Sequence, residues 1–227
     1  MNRVRWLRAE WPVSMPVLAE KMKSQGFNRD STDGFVVDRV RDTFIEARYI
    51  EKLNYQETIS DPFGGEQIFD RVVYRTVVFS LFSGYPQLEL YDTPRSTKAF
   101  VSRMLEMCNF SLPLVSLSVN VIRWIENFQA LSDQQVLVNS INVSGLEIEQ
   151  GVIANLLLKS ERDALDALAS IAKGRRYSLD KVHMRCSSGK NIIPIVFSSS
   201  GAAMIPDDNM RVFLPLIRKS LPEPSIK

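Results

Sequence analysis

The chain has 227 residues, 45% apolar and 24% charged, with 28 Lys and Arg against 26 Asp and Glu for a formal net charge of +2. That length can bury a sizeable core as one large domain or two small ones, and the composition excludes disordered, collagen-like and coiled-coil chains. Two cysteines, Cys108 and Cys186, are too few for a disulfide framework and point to small buried thiols in a reducing compartment.

The opening stretch, MNRVRWLRAEW, is interrupted by Arg3, Arg5, Arg8 and Glu10, so it lacks the continuous apolar core of a signal peptide. Arg3, Arg5 and Arg8 beside Trp6 form a candidate basic element. A helix is predicted from Met15 to Gln25, with Ser14 as N-cap, Pro16 in the first turn and Gly26 past its end. Val17, Leu18, Met22 and Phe27 are expected on its buried side. Asn28 to Gly34 is rich in turn formers, and Phe35 to Ile45 fits helix and strand spacing alike. From Arg48 the pattern alternates. Asp61-Pro62-Phe63-Gly64-Gly65 then supplies turn chemistry and a second strand runs from Gln67 to Phe82, which predicts a long β-hairpin over 48–82. Its end at Val77-Val78-Phe79 is apolar on both faces and is expected between two layers.

A turn at Tyr85-Pro86, a strand from Gln87 to Tyr91 and a helix from Thr93-Pro94 to Met107 follow, with Phe100, Val101, Met104 and Leu105 on one side of the helix. Leu112 to Val119 reads as a strand, Val121 to Phe128 as a short helix, and Gln129 to Gln134 as a boundary between domains 1–130 and 131–227. The second half gives strands from Val136 to Ile148 and Gly151 to Leu158, and a helix from Glu161 to Lys173 capped by Ser160 and Asp163 and ended by Gly174. A strand from Tyr177 to Cys186 comes next. This strand-strand-helix-strand order repeats at an offset of about 67 residues, placing Gln67 on Gln134 and Arg95 on Arg162, although the side chains of the halves differ. Asn191 to Ser198 pairs back across Ser187-Ser188-Gly189, with Pro194 marking an edge or bulge, and a last helix from Asp207 to Ser220 is interrupted at Pro215. The expected fold is α+β: a mostly antiparallel sheet with a long hairpin in the N-terminal half, two strand-strand-helix-strand modules and flanking helices.

Charge along the chain is uneven. Residues 1–113 hold 15 basic and 15 acidic side chains and residues 114–227 hold 13 and 11, yet residues 173–190 alone hold six basic and one acidic. On a strand, alternation puts Lys181, His183 and Arg185 on one face and Val182, Met184 and Cys186 on the other. Lys173, Arg175, Arg176, Tyr177, Lys181, His183, Arg185 and Lys190 are therefore the candidate nucleic-acid-binding residues. The cations would neutralise phosphates, and Tyr177, on the face of Lys181, would offer a stacking surface. Two structural explanations compete with that role: an edge strand kept charged against edge-to-edge association, and Arg175 and Arg176 complementing a helix C-terminus.

Chemistry is sparse. His183 is the only histidine and lies three residues from Cys186, so on a strand the two face opposite ways, and three Cys and His residues in all are too few for structural zinc. Asp61 with Glu66, and Glu89 with Asp92, could bind Mg²⁺, but read more simply as turn, surface and cap residues. No glycine motif that cradles phosphate is present. The sequence therefore indicates no catalytic residue, metal or small-molecule cofactor. The longest charge-free runs, Met107 to Ile122 and Asn191 to Pro206, are 16 residues each and contain proline, short of a membrane span. Asn109-Phe110-Ser111 and Asn142-Val143-Ser144 match the glycosylation acceptor pattern by chance in a chain read as cytoplasmic.

The leading expectation is a non-enzymatic subunit of a larger cytosolic assembly, acting on a protein partner or a second copy. Tyr49, Tyr55, Phe63, Phe69 and Tyr74 of the hairpin are its candidate interface, with the basic patch as a nucleic-acid contact. The alternative is a stand-alone nucleic-acid-binding protein without a sequence-specific motif, and the third reading is a Mg²⁺-dependent nuclease.

Overall fold

A computed structural model describes residues 1–189 and 191–223. It is α+β, with eleven strands, most of them paired antiparallel, and five α-helices among the described residues. The chain divides into two compact units, one of Ala9–Leu114 and one of Met1–Arg8 with the chain from Val115 on. The division differs from the expected one near residue 130, where Gln129 to Ser132 continue a helix instead of forming a linker.

The first unit contains α1 (Met15–Ser24), β2 (Asp33–Val40), β3 (Phe44–Ser60), β4 (Glu66–Phe82), β5 (Leu88–Tyr91) and α2 (Lys98–Met107), with strands in the order β2-β3-β4-β5. In α1, Met15, Leu18, Ala19 and Met22 are buried, while Val17 is exposed because it falls between turns of that stripe. The polypeptide leaving α1 is tied to β2 by the Phe27 N–H donating to the Phe35 carbonyl at 2.9 Å. A Cβ at Gly34 would come within 2.6 Å of the Phe27 nitrogen, so this close approach requires glycine. The ambiguous stretch resolves as strand: β2 and the start of β3 pair antiparallel, with a bulge between Val37 and Arg39. α2 begins at Lys98, later than the Thr93-Pro94 signal suggested. Its Phe100 meets Phe79 at 4.8 Å and Tyr49 at 5.9 Å between ring centroids, and this aromatic cluster anchors the sheet.

The hairpin is continuous from Phe44↔Phe82 to Ser60↔Glu66. Asp61 closes its turn, its Oδ1 accepting from the Phe63 and Gly65 N–H groups at 2.7 and 3.0 Å, while Gly64 takes a φ of 89°. At the base, Val77 and Phe79 are buried, but Val78 is exposed, because only one face of β4 is covered there.

The second unit contains β1 (Asn2–Ala9), β6 (Leu114–Ser116), α3 (Val121–Ser132), β7 (Gln135–Glu149), β8 (Val152–Lys159), α4 (Ala164–Ala172), β9 (Ser178–Ser188), β10 (Asn191–Ser198), β11 (Ala202–Ile205) and α5 (Met210–Ser220). Its strand order is β1-β11-β10-β9-β7-β8, with β6 beside β1. β1 and β11 were not legible in the sequence, and β6 is far shorter than the strand expected over Leu112 to Val119. Trp124 of α3 stacks on Phe197 of β10 at 4.1 Å and 9°, and Trp6 of β1 packs edge-on against it at 5.6 Å. Trp6 is fully buried, so it is a core residue and offers no stacking face to a ligand. Asn120 and Asp163 cap α3 and α4, accepting from the N–H groups of Arg123 and Leu165.

The repeated order is present as β4-β5-α2-β6 and β7-β8-α4-β9, and both hairpin pairs are antiparallel. The strand after the helix differs. β9 lies beside β7, whereas β3 occupies the place beside β4 and β6 pairs with β1. Pro194 meets an edge as expected, although β10 is not an edge strand: it is flanked by β9 and β11, but β11 reaches only Val196 to Ser198, so among the described residues Pro194 has an open edge on that side. Among the described residues, no helix is long and apolar enough to cross a membrane.

Candidate functional site

β9 carries the basic ladder with the predicted alternation. Lys181 and Arg185 are exposed and His183 is half-buried, while Val182, Met184 and Cys186 are at most 1% exposed on the other face. β9 is not an edge strand, since it pairs with β7 from Ser178 to Ser187 and with β10 from Lys181 to Ser188. Protection of a free edge therefore does not account for these charges.

The ladder forms one wall of a groove of about 710 Å³. The register across three strands builds it. Lys159 of β8 pairs with Ser140 of β7, which pairs with His183, and the neighbouring row runs Leu157, Asn142, Lys181. A bulge in β7 between Val138 and Ser140 inserts Asn139, whose carbonyl accepts from the Ser160 N–H at 3.0 Å and so holds the turn carrying Ser160 and Glu161 against the groove. The groove thus gathers three cations, Lys159, Lys181 and Arg185, one acid, Glu161, and the polar side chains of Asn139, Ser140 and Asn142.

Among the described residues, none of the three cations has an ion pair. Arginines elsewhere do: Arg48 reaches Asp38 and Arg103 reaches Asp33, both at 2.7 Å. Burial and the nearby charges of Lys181 and Lys159 hold the His183 imidazole below its ordinary pKa. It is therefore neutral at pH 7, a polar member of the groove and not a cationic rung.

Other expected site residues lie elsewhere. Lys173 is the left-handed C-cap of α4, the Arg175 N–H continues that cap by donating to the Ala172 carbonyl, and neither lines the groove, nor does Arg176. Tyr177 was expected on the face of Lys181. A second bulge, where Asn142 pairs with Lys181 but Val143 with Leu179, inserts Asp180 and reverses the alternation, so Tyr177 loses that phase and lies outside the groove. Lys190 lies outside the described residues. Lys159, which the sequence reading passed over, is brought in by the β7-β8 register; its signal was its place at the end of an alternating strand.

Neither cysteine lines the groove. Cys108 and Cys186 are buried, and burial raises both thiol pKa values, which keeps them protonated near neutral pH. Asp61 is occupied in its turn, and Glu89 is fully buried beneath the Tyr91 hydroxyl, which donates to it, whereas Asp92 is exposed. Among the described residues, no three His, Cys, Asp or Glu side chains come together as a metal site.

A second surface stands out on the first unit. Among the described residues, the β3-β4 ribbon has no partner strand on either edge beyond Leu53, because β2 pairs only as far as Glu51 and β5 only with Val78 to Leu81. Tyr55, Ile59, Ile68, Phe69 and Val72 are exposed there, and Phe63 at the tip is 96% exposed. Between Glu57 and Asp70 the ribbon carries four acids, Glu57, Asp61, Glu66 and Asp70, and no base.

No protein-family model matches the chain, and no curated protein matches it at a significant level of similarity.

Proposed function

We propose that this protein is a non-enzymatic subunit of a larger cytosolic assembly and that the β3-β4 arm is the part it inserts into a protein partner. The observation that carries this reading is the concentration of exposed aromatic and aliphatic side chains on a ribbon with two open edges. A two-stranded ribbon is marginal by itself in water, and exposed apolar clusters with free backbone edges favour association. The acidic run from Glu57 to Asp70 selects the partner surface: a protein with an apolar cleft framed by Lys and Arg.

The test is an arm-trimmed chain in which Tyr55 to Arg71 is replaced by Asn-Gly, which joins the paired residues Asn54 and Val72 by a two-residue hairpin turn. The full chain is expected to sediment as a larger species, alone or co-expressed with the products encoded beside it. The trimmed chain should sediment as a monomer with unchanged circular dichroism. Identical sedimentation of the two chains under both conditions would sink the proposal.

A further inference from the structure

Independently of the arm, we infer that the groove on β7, β8 and β9 binds the sugar-phosphate backbone of a single-stranded nucleic acid without reading its bases. Three features carry this. First, the groove holds Lys159, Lys181 and Arg185 with one acid, Glu161, inside a chain whose whole-molecule balance is only +2, so the positive character is local. Second, none of the three cations has an ion pair among the described residues, although arginines on the other unit's sheet do. Unpaired cations gathered in a concavity are available to an anion. Third, beside the apolar Leu157 the lining carries the hydrogen-bonding side chains of Asn139, Ser140, Asn142 and Ser160, which suit phosphate and sugar oxygens.

The shape selects a single strand. Lys181 and Arg185 stand four residues apart, about 13 Å along β9, with Lys159 across β7, so the cations lie along and across a trough that a single backbone can follow. Three cations within about 13 Å match the phosphates of one backbone, and a duplex of the same sequence is the control: binding of the duplex as tight as of the single strand overturns the single-strand assignment. Among the described residues no Phe, Tyr or Trp lines the groove, since Tyr177 lies outside it, and the half-buried His183 is its one ring, so base sequences should bind nearly alike. Three phosphate contacts to a single strand imply a slope of log K against log salt of about −2.

The experiment measures fluorescence anisotropy of labelled mixed-sequence single-stranded RNA and DNA with the full chain across a salt series. Poly-glutamate serves as a competing acidic polypeptide. The expected result is binding that falls with the stated slope, weakens and flattens in Lys159→Ala, Lys181→Ala and Arg185→Ala, and disappears in the triple variant. These side chains are exposed, and an unchanged melting curve establishes that each variant is folded. The arm-trimmed chain should bind with the same affinity and slope, which separates this site from the arm. Binding that survives in the triple variant overturns the assignment. Competition by poly-glutamate as effective as by unlabelled oligonucleotide overturns the nucleic-acid ligand in favour of an acidic protein segment.

Discussion

His183 shows how much one side chain's meaning depends on its surroundings. Its neighbours on β7 and β10, Ser140 and Val196, are uncharged, while Lys181 and Arg185 on its own strand and Lys159 on β8 are positive, and Glu161 is the acid of the groove. Burial and then the charges of Lys181 and Lys159 depress its pKa below the ordinary 6.5. The unfolded chain therefore takes up this proton at higher pH than the folded one. The stability His183 contributes is complete above pH 6.5, falls as pH drops through that value, and stops falling below the folded pKa. Replacing it in His183→Gln should flatten the dependence of Tm on pH between about 7 and 5, a change that thermal melts across that range would detect. An anion in the groove offsets the charges of the lysines and favours the protonated ring. Oligonucleotide affinity should accordingly rise as pH falls from neutrality, and His183→Gln should remove that part of the rise.

At the scale of elements, the hairpin and the helix caps follow from local chemistry. Asp163 caps α4 by accepting from the Leu165 N–H at 2.8 Å, and Asp163→Ala should cost about 1 kcal/mol, read as a shift in the denaturant midpoint. Trp124 is different in kind: its ring stacks on Phe197, and its Nε1–H donates to the Ile217 carbonyl and the Ser220 hydroxyl, both at 3.1 Å. Trp124→Ala leaves a cavity and removes both of those hydrogen bonds, so a loss of about 3–5 kcal/mol is expected. The two bulges of β7 and β9 matter more for function than either. One sets Asn139 against the Ser160 turn, and the other turns Tyr177 away from the groove.

At the scale of the whole molecule, the two surfaces should answer salt in opposite ways. The groove works through a few phosphate contacts, so its binding weakens as salt rises. The arm buries apolar surface, and sulfate, which strengthens such burial, should preserve or deepen its association. Sedimentation and anisotropy measured together in a sulfate series would resolve the two. Loss of both signals in parallel would mean that a single electrostatic surface serves both purposes.

The sequence by itself determined the hairpin from turn chemistry at Asp61 to Gly65, the alternation of β9 from Lys181 to Cys186, and the α+β class, because these depend on residues adjacent in the chain. It could not separate Val78, exposed, from Val77, buried, nor recognise β1 and β11, because both depend on what another segment covers. The groove likewise belongs to tertiary structure. Lys159 and Lys181 are brought to one surface by the pairing of β8 and β9 with β7, while Arg175, close to Lys181 in sequence, is turned to the end of α4. Spacing along one strand fixes which way a side chain points. Only the register between strands fixes what it points toward, and register is set by the hydrophobic pattern of both partners together with the bulges between them.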